Sequence, residues 1–197
     1  MKKLLIFDTE TTGLPLSWSN DAHDTNNWPR ILQLAWELCW EDGTTIRKSC
    51  ELVQPDGWVI PDGEFWVEHG YYTEINEMMG RPMSELLQEF IEAYNEADVL
   101  IAHNLGFDKP VIICEMFRYG LKVKKQINTY CTKLKSEFIC KLPSQYPGKY
   151  KWPTLTEAYE FMFGKQNEGG HDAGWDVQAC KEIYLWIQEY ELMQSIL

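Results

Sequence analysis

Asp8 and Glu10, two acids set two residues apart, close an apolar run that begins at Leu4. Side chains two apart on an extended chain leave the same face, so a strand that persists to Glu10 would aim both carboxylates at one point. Carboxylates that close repel. The repulsion is relieved either by protonating one acid or by a divalent cation that stabilises both as anions. Hard cations such as Mg²⁺ take oxygen ligands and commonly keep water and phosphate in their shell. The pattern therefore points to a metal site at the end of a buried strand.

Further ligands stand where other elements end. Asp108 follows a short apolar strand over 98–103 and opens the next helix. Asp176 falls in the first turn of the last helix, five residues after His171, which sits beside the Gly169-Gly170 loop. Acids at helix starts also occur for capping alone. Four acids at the ends of adjoining elements carry more weight than any one of them.

The elements that must position these groups can be read from spacing. Residues 3–8 read as a buried strand and 31–40 as a second, and the Glu41-Asp42-Gly43 turn leads into a third over 44–53, an antiparallel meander. Between the first two lies 15–29, a polar loop bounded by prolines. The chain from 55 to 80 reads as irregular. Over 81–97, Met83, Leu86, Leu87, Phe90, Ile91 and Tyr94 recur at helical spacing. Pro110 suits the first turn of a helix that Gly120 ends, and a short strand follows near 127–131. Residues 133–153 read as a lysine-rich loop with at most one helical turn. Thr154 and Glu157 have the spacing of a capping box for a helix to Phe163, and a final helix spans 175–192. With no repeat or linker, residues 1–197 are expected to form a single domain.

A hydrophobic content of 45% and an aromatic content of 14% exclude a disordered chain. The N-terminal apolar run is too short for a signal peptide or a membrane span, so a cytoplasmic protein without membrane contact is expected. Six cysteines without a C-x-x-C pair read as reduced thiols. The net charge of −12 argues at first against a nucleic-acid partner. From Lys109 to Lys151, however, ten basic side chains face two acids, which leaves room for a local basic surface. Lys122, Lys124 and Lys125 are its expected contacts. Of the nine tryptophans, Trp18 and Trp28 in the polar loop are the best placed to stack on unpaired bases.

Three segments, FDTETTGL (7–14), IAHNLGFD (101–108) and HDAGWD (171–176), resemble in type and order the motifs of the DnaQ-like 3′→5′ exonucleases of the DEDDh type. That family includes the proofreading epsilon subunit of bacterial DNA polymerase III. The resemblance implies an α/β, RNase H-like fold: a mixed sheet with three antiparallel N-terminal strands, flanked by helices. It implies that Asp8, Glu10, Asp108 and Asp176 hold two divalent ions, Mg²⁺ or Mn²⁺, with His171 as general base in a two-metal hydrolysis. The substrate would be the 3′ end of single-stranded or frayed nucleic acid, DNA favoured over RNA, and the product a nucleoside 5′-monophosphate. A DNA polymerase is a candidate partner. Thr9, Thr11, Thr12, Leu14, His103 and Asn104 are the implied substrate contacts. A tyrosine-type relative would carry Tyr where Asp172 stands, so the histidine branch is the match. Two rival readings remain. In a haloacid-dehalogenase-type phosphatase Asp8 would be the nucleophile, although Glu10 departs from that pattern. A nucleic-acid-binding module on the same fold would have lost catalysis.

Overall fold

The computed structural model describes residues 1–165 and 172–196. An antiparallel meander of β1 (Lys3–Thr11), β2 (Ile31–Trp40) and β3 (Thr45–Gln54) opens the chain. Two short helices, α1 (Glu64–Glu68) and α2 (Thr73–Met79), precede a two-residue strand, β4 (Arg81–Pro82), and α3 (Met83–Glu96). Then come β5 (Val99–Ala102), α4 (Leu105–Arg118), β6 (Asn128–Cys131) and α5 (Thr132–Cys140). The chain ends with α6 (Leu155–Phe163) and α7 (Ala173–Ile196). Among the described residues the sheet has six strands, in the order β4-β3-β2-β1-β5-β6, with β5 and β6 parallel to β1.

Both faces of β1 are covered, which explains why Leu4, Leu5, Ile6 and Phe7 run apolar without alternation. Leu5 and Phe7 pack toward Phe90 of α3 and Val111 of α4, whereas Leu4 and Ile6 pack toward Val177, Cys180 and Tyr184 of α7. Odd and even positions of β1 thus answer to different helices. No described helix is long and apolar enough to cross a membrane, and all six cysteines are free thiols.

Several expectations need correction. The stretch 55–80 is not irregular, because α1 and α2 lie there. Helix α2 is fastened by a fully buried amide, Asn76, whose Nδ2 donates to the carbonyls of Leu32 and Val53, so no apolar stripe announced it. Helix α4 begins five residues before Pro110, which sits inside it and forfeits only the bond to the Gly106 carbonyl. Helix α5 occupies part of 133–153. Its inner face is Thr132, Ser136 and Cys140, small polar side chains at i, i+4 and i+8 that a hydrophobic pattern does not register. The capping box at Thr154 and Glu157 forms as expected, and Gly164, at φ +65°, ends α6.

One buried charge ties α4 to the sheet. Glu115 is fully buried, and its Oε1 accepts from Arg30 Nε at 2.8 Å, Arg118 at 3.0 Å and the Ile31 amide at 3.3 Å. Removing one member of such a cluster leaves the remaining charges in low dielectric. Glu115→Ala is expected to lower the free energy of unfolding by about 3 kcal/mol, read as a lower urea midpoint; an unchanged midpoint would show that the cluster does not anchor α4.

Candidate active site

Strand β1 keeps its pairing with β2 through Asp8, opposite Ala35, and Glu10, opposite Gln33, before a bulge between Glu10 and Thr11. Because Leu4 and Ile6 face α7, Asp8 and Glu10 do so as well. The start of α7 meets them there. Asp172 caps this helix, its Oδ1 accepting from the amides of Gly174 at 3.0 Å and Trp175 at 3.2 Å, and its carbonyl accepting from the Asp176 amide. This fixes Asp176 one turn in. Carboxylate oxygens of Asp8, Glu10 and Asp176 all lie within 4.8 Å of one another.

Asp108 comes from the other side of β1. It is buried in the first turn of α4, and its Oδ1 accepts the Thr9 hydroxyl at 2.9 Å. Thr9 points away from Asp8 and Glu10, so the bond draws α4 against the strand that carries them. Asp108 stands outside the tight trio but supplies the strongest charge acting on Asp8.

Crowding and burial dominate the electrostatics. Burial, then the charges of Asp108, Asp176, Glu10 and Asp172, holds the Asp8 carboxyl well above the usual carboxylate range. Burial, followed by Asp176, Asp108 and Asp172, pushes Glu10 up to about 8. Burial also raises Asp108 to about 7, against the opposing pull of the Thr9 hydrogen bond. Among the described residues no lysine or arginine forms an ion pair with Asp8, Glu10 or Asp108. An all-oxygen donor set in which Asp8, Glu10 and Asp108 have no ion-pair partner among the described residues fits a hard divalent cation.

A neutral side chain braces this arrangement. Gln33, directly across from Glu10, accepts at Oε1 from Tyr71 Oη at 2.8 Å and the Ala173 amide at 3.0 Å, and donates from Nε2 to Asp172 at 3.1 Å. It therefore locks the start of α7 onto β2. Helix and sheet come close enough that a Cβ on Gly174 would lie 2.9 Å from Cys50 Sγ. A cleft of about 510 Å³ lined by Cys50, Asp172 and Trp175 opens alongside. The sequence does not reveal the roles of Gln33 and Gly174, because these depend on strand register and on how closely α7 approaches.

The remaining expected residues divide by what they touch. Thr11 Oγ1 donates to the Gly13 carbonyl and Thr12 Oγ1 accepts from the Arg30 amide, so both hydroxyls shape the turn after β1. Leu14 is 71% exposed. Exposed Trp18 leans on Phe107, with ring centroids 5.9 Å apart, whereas Trp28 is buried and donates to the Asp21 carbonyl. Trp28 is therefore no platform for a base. His103 is buried, with Nε2 donating to the Pro153 carbonyl and Nδ1 meeting the Thr132 hydroxyl; burial lowers its pKa to about 4. It is a neutral tie between β5, α5 and the entry to α6. Asn104 Oδ1 accepts from Lys133 at 3.4 Å. Lys122, Lys124 and Lys125 precede β6, at the end of the sheet opposite the carboxylates, where the Lys124 amide donates to Asn95. His171 lies outside the described residues.

No family model matches the sequence, and no curated protein sequence matches it. Solved structures do. Escherichia coli exonuclease I in complex with a dT13 oligonucleotide superposes with a TM-score of 0.74 at 14% identity, covering 99% of this chain and 43% of that one. An apo exonuclease I gives 0.69 at 16% identity over 96% of this chain and 42% of the other. A zinc-bound E. coli ExoI–ssDNA complex gives 0.69 at 16% identity, with 96% and 41% covered. At these identities the likeness establishes the fold, which is RNase H-like. The chain spans less than half the length of the exonuclease I chains it matches.

The raised carboxyls carry a pH signature. A carboxyl whose folded pKa exceeds its unfolded value disfavours folding once it ionises, so its penalty is absent below about pH 4 and grows as pH rises through about 7 and 8. Metal-free protein is therefore expected to melt at a lower temperature at pH 8 than at pH 5, and Mn²⁺ is expected to restore the difference at pH 8. A melting temperature indifferent to both pH and Mn²⁺ in thermal denaturation would contradict the cluster's electrostatics.

Proposed function

We propose that this chain is a metal-dependent 3′→5′ exonuclease that removes nucleoside 5′-monophosphates from single-stranded or frayed 3′ ends, DNA in preference to RNA. The observation that carries the reading is the convergence of Asp8, Glu10 and Asp176 within 4.8 Å, with Asp108 beside them and no protein cation paired to Asp8, Glu10 or Asp108 among the described residues. The complexes of exonuclease I with single-stranded oligonucleotides, which share the fold, support a single-stranded DNA substrate.

Asp8, Glu10, Asp108 and Asp176 would hold two Mg²⁺ or Mn²⁺ ions, which supply Lewis acidity at a phosphate and lower the pKa of water. The chain's own residues do the rest. Thr9 steadies Asp108 by its hydroxyl, and Gln33 with Asp172 steadies Asp176. His171, five residues before Asp176 in the sequence, is the proposed general base, since an imidazole with a pKa near 6.5 takes up a proton from water at neutral pH. Leu14, exposed at the end of the first motif, and the Trp18–Phe107 pair offer apolar surface to the terminal base.

A 5′-labelled oligonucleotide incubated with Mg²⁺ or Mn²⁺ is expected to give a stepwise ladder shortening from the 3′ end. EDTA, Asp8→Ala and His171→Ala are each expected to cut the rate by at least 100-fold. Undiminished activity in EDTA or in Asp8→Ala would overturn the reading, and binding of the strand without any hydrolysis in Mn²⁺ would favour a module that has lost catalysis.

A further inference from the structure

Beyond the carboxylates, α5 leads to a second groove that the reading above leaves unused. We propose that this groove, between α5 and the 143–152 segment, seats the single strand on its way to the carboxylates, with bases stacking on Phe138, Tyr146 and Trp152. The proposal deepens the exonuclease reading and rests on it for the direction in which the strand runs.

The groove has a volume of about 880 Å³. Phe138, Tyr146 and Trp152 are 67%, 61% and 56% exposed, an unusual concentration of open aromatic surface. Apart from Pro143, the apolar side chains that line the groove among the described residues are all aromatic. An amphipathic helix would be met by Leu, Ile or Met, whereas unpaired bases stack on flat π-faces, which this lining provides. Trp152 is held by its edge, its Nε1 donating to Glu137 Oε2 at 2.7 Å, and Phe138 meets Tyr150 edge to face at 6.5 Å. Trp152 and Phe138 are thus oriented before any ligand arrives.

Charge points the same way. Lys141 and Lys149 are exposed and belong to no ion pair among the described residues, unlike Lys151, which is paired with Glu157. In a protein of net charge −12, unpaired lysines beside an aromatic groove complement a phosphate backbone. Lys133 joins the groove to the active site. Its Nζ lies 5.8 Å from the Trp152 ring centroid and 3.4 Å from Asn104 Oδ1 at the head of α4, and its charge opposes the burial that raises Asp108. At a rise of about 1.5 Å per residue, Phe138 stands roughly 7.5 Å further along α5 than Lys133. Cation and aromatic surface therefore succeed one another along α5 from the end that meets Asn104.

The test is fluorescence anisotropy with 5′-labelled dT12 in EDTA, where no hydrolysis occurs. Phe138→Ala with Trp152→Ala is expected to weaken binding by at least tenfold, and Lys149→Gln to make the salt dependence shallower. Binding by the double variant within twofold of the parent, or no binding of dT12 by the parent, would overturn the groove. Should the double variant lose its far-ultraviolet circular dichroism, the single exposed change Tyr146→Ala is decisive instead: a threefold or greater loss supports the groove, and an unchanged affinity rejects it. The two proposals part cleanly. A parent that binds dT12 through these rings but degrades nothing in Mn²⁺ contradicts the exonuclease reading alone, and one that degrades dT12 while the double variant binds it equally well contradicts the groove alone.

Discussion

Like charge held together in a partly dehydrated place is the constraint around which this molecule is built. Asp8, Glu10 and Asp176 share a space a few ångströms across, with Asp108 and Asp172 close enough to add to the field. Nothing about folding alone favours that gathering, since each carboxylate brought there raises the cost of ionising the others. The arrangement persists because apolar packing at a distance enforces it. Both faces of β1 are sealed by α3, α4 and α7, and the acids are carried to their positions by elements whose stability is earned in the core.

Support for the site is divided between the two faces of one strand. Even positions of β1 hold Asp8 and Glu10 toward α7, and the odd position Thr9 reaches the other way to grip Asp108. On the α7 side, Gln33 replaces charge with a neutral amide that satisfies Tyr71, Ala173 and Asp172 at once. A charged side chain in its place would add to the repulsion or cancel it without a metal. The buried Glu115 cluster and the neutral His103 do comparable work farther out, setting α4 on β2 and α5 on β5.

Much of this was legible in the residues themselves. Four acids at element ends, the strand at 31–40, the capping box at Thr154 and the amphipathic stripe of α3 all follow from local spacing, and local spacing is what a sequence displays. Elements secured by polar burial stayed hidden. Asn76 fixes α2 and the Thr132, Ser136, Cys140 face seats α5, and neither resembles a hydrophobic period. Location in space was equally invisible: composition suited the lysines at 122, 124 and 125 and Trp28 to nucleic acid, yet parallel pairing of β5 with β6 puts the former at the end of the sheet away from the carboxylates, and Trp28 is buried. Lys133, inconspicuous in the sequence, lies close enough for its charge to act on Asp108, and it lies 5.8 Å from the Trp152 ring centroid.

The central claim is that these acids are gathered for cations, and calorimetric titration with Mn²⁺ near pH 7 tests it most directly when repeated in buffers of different ionisation enthalpy. Carboxyls raised to about 7 and 8 still carry protons at that pH, so ion binding must expel them. The account predicts saturable binding accompanied by proton release, both lost in Asp8→Asn. Absence of binding, or binding that releases no proton and survives Asp8→Asn, would contradict it.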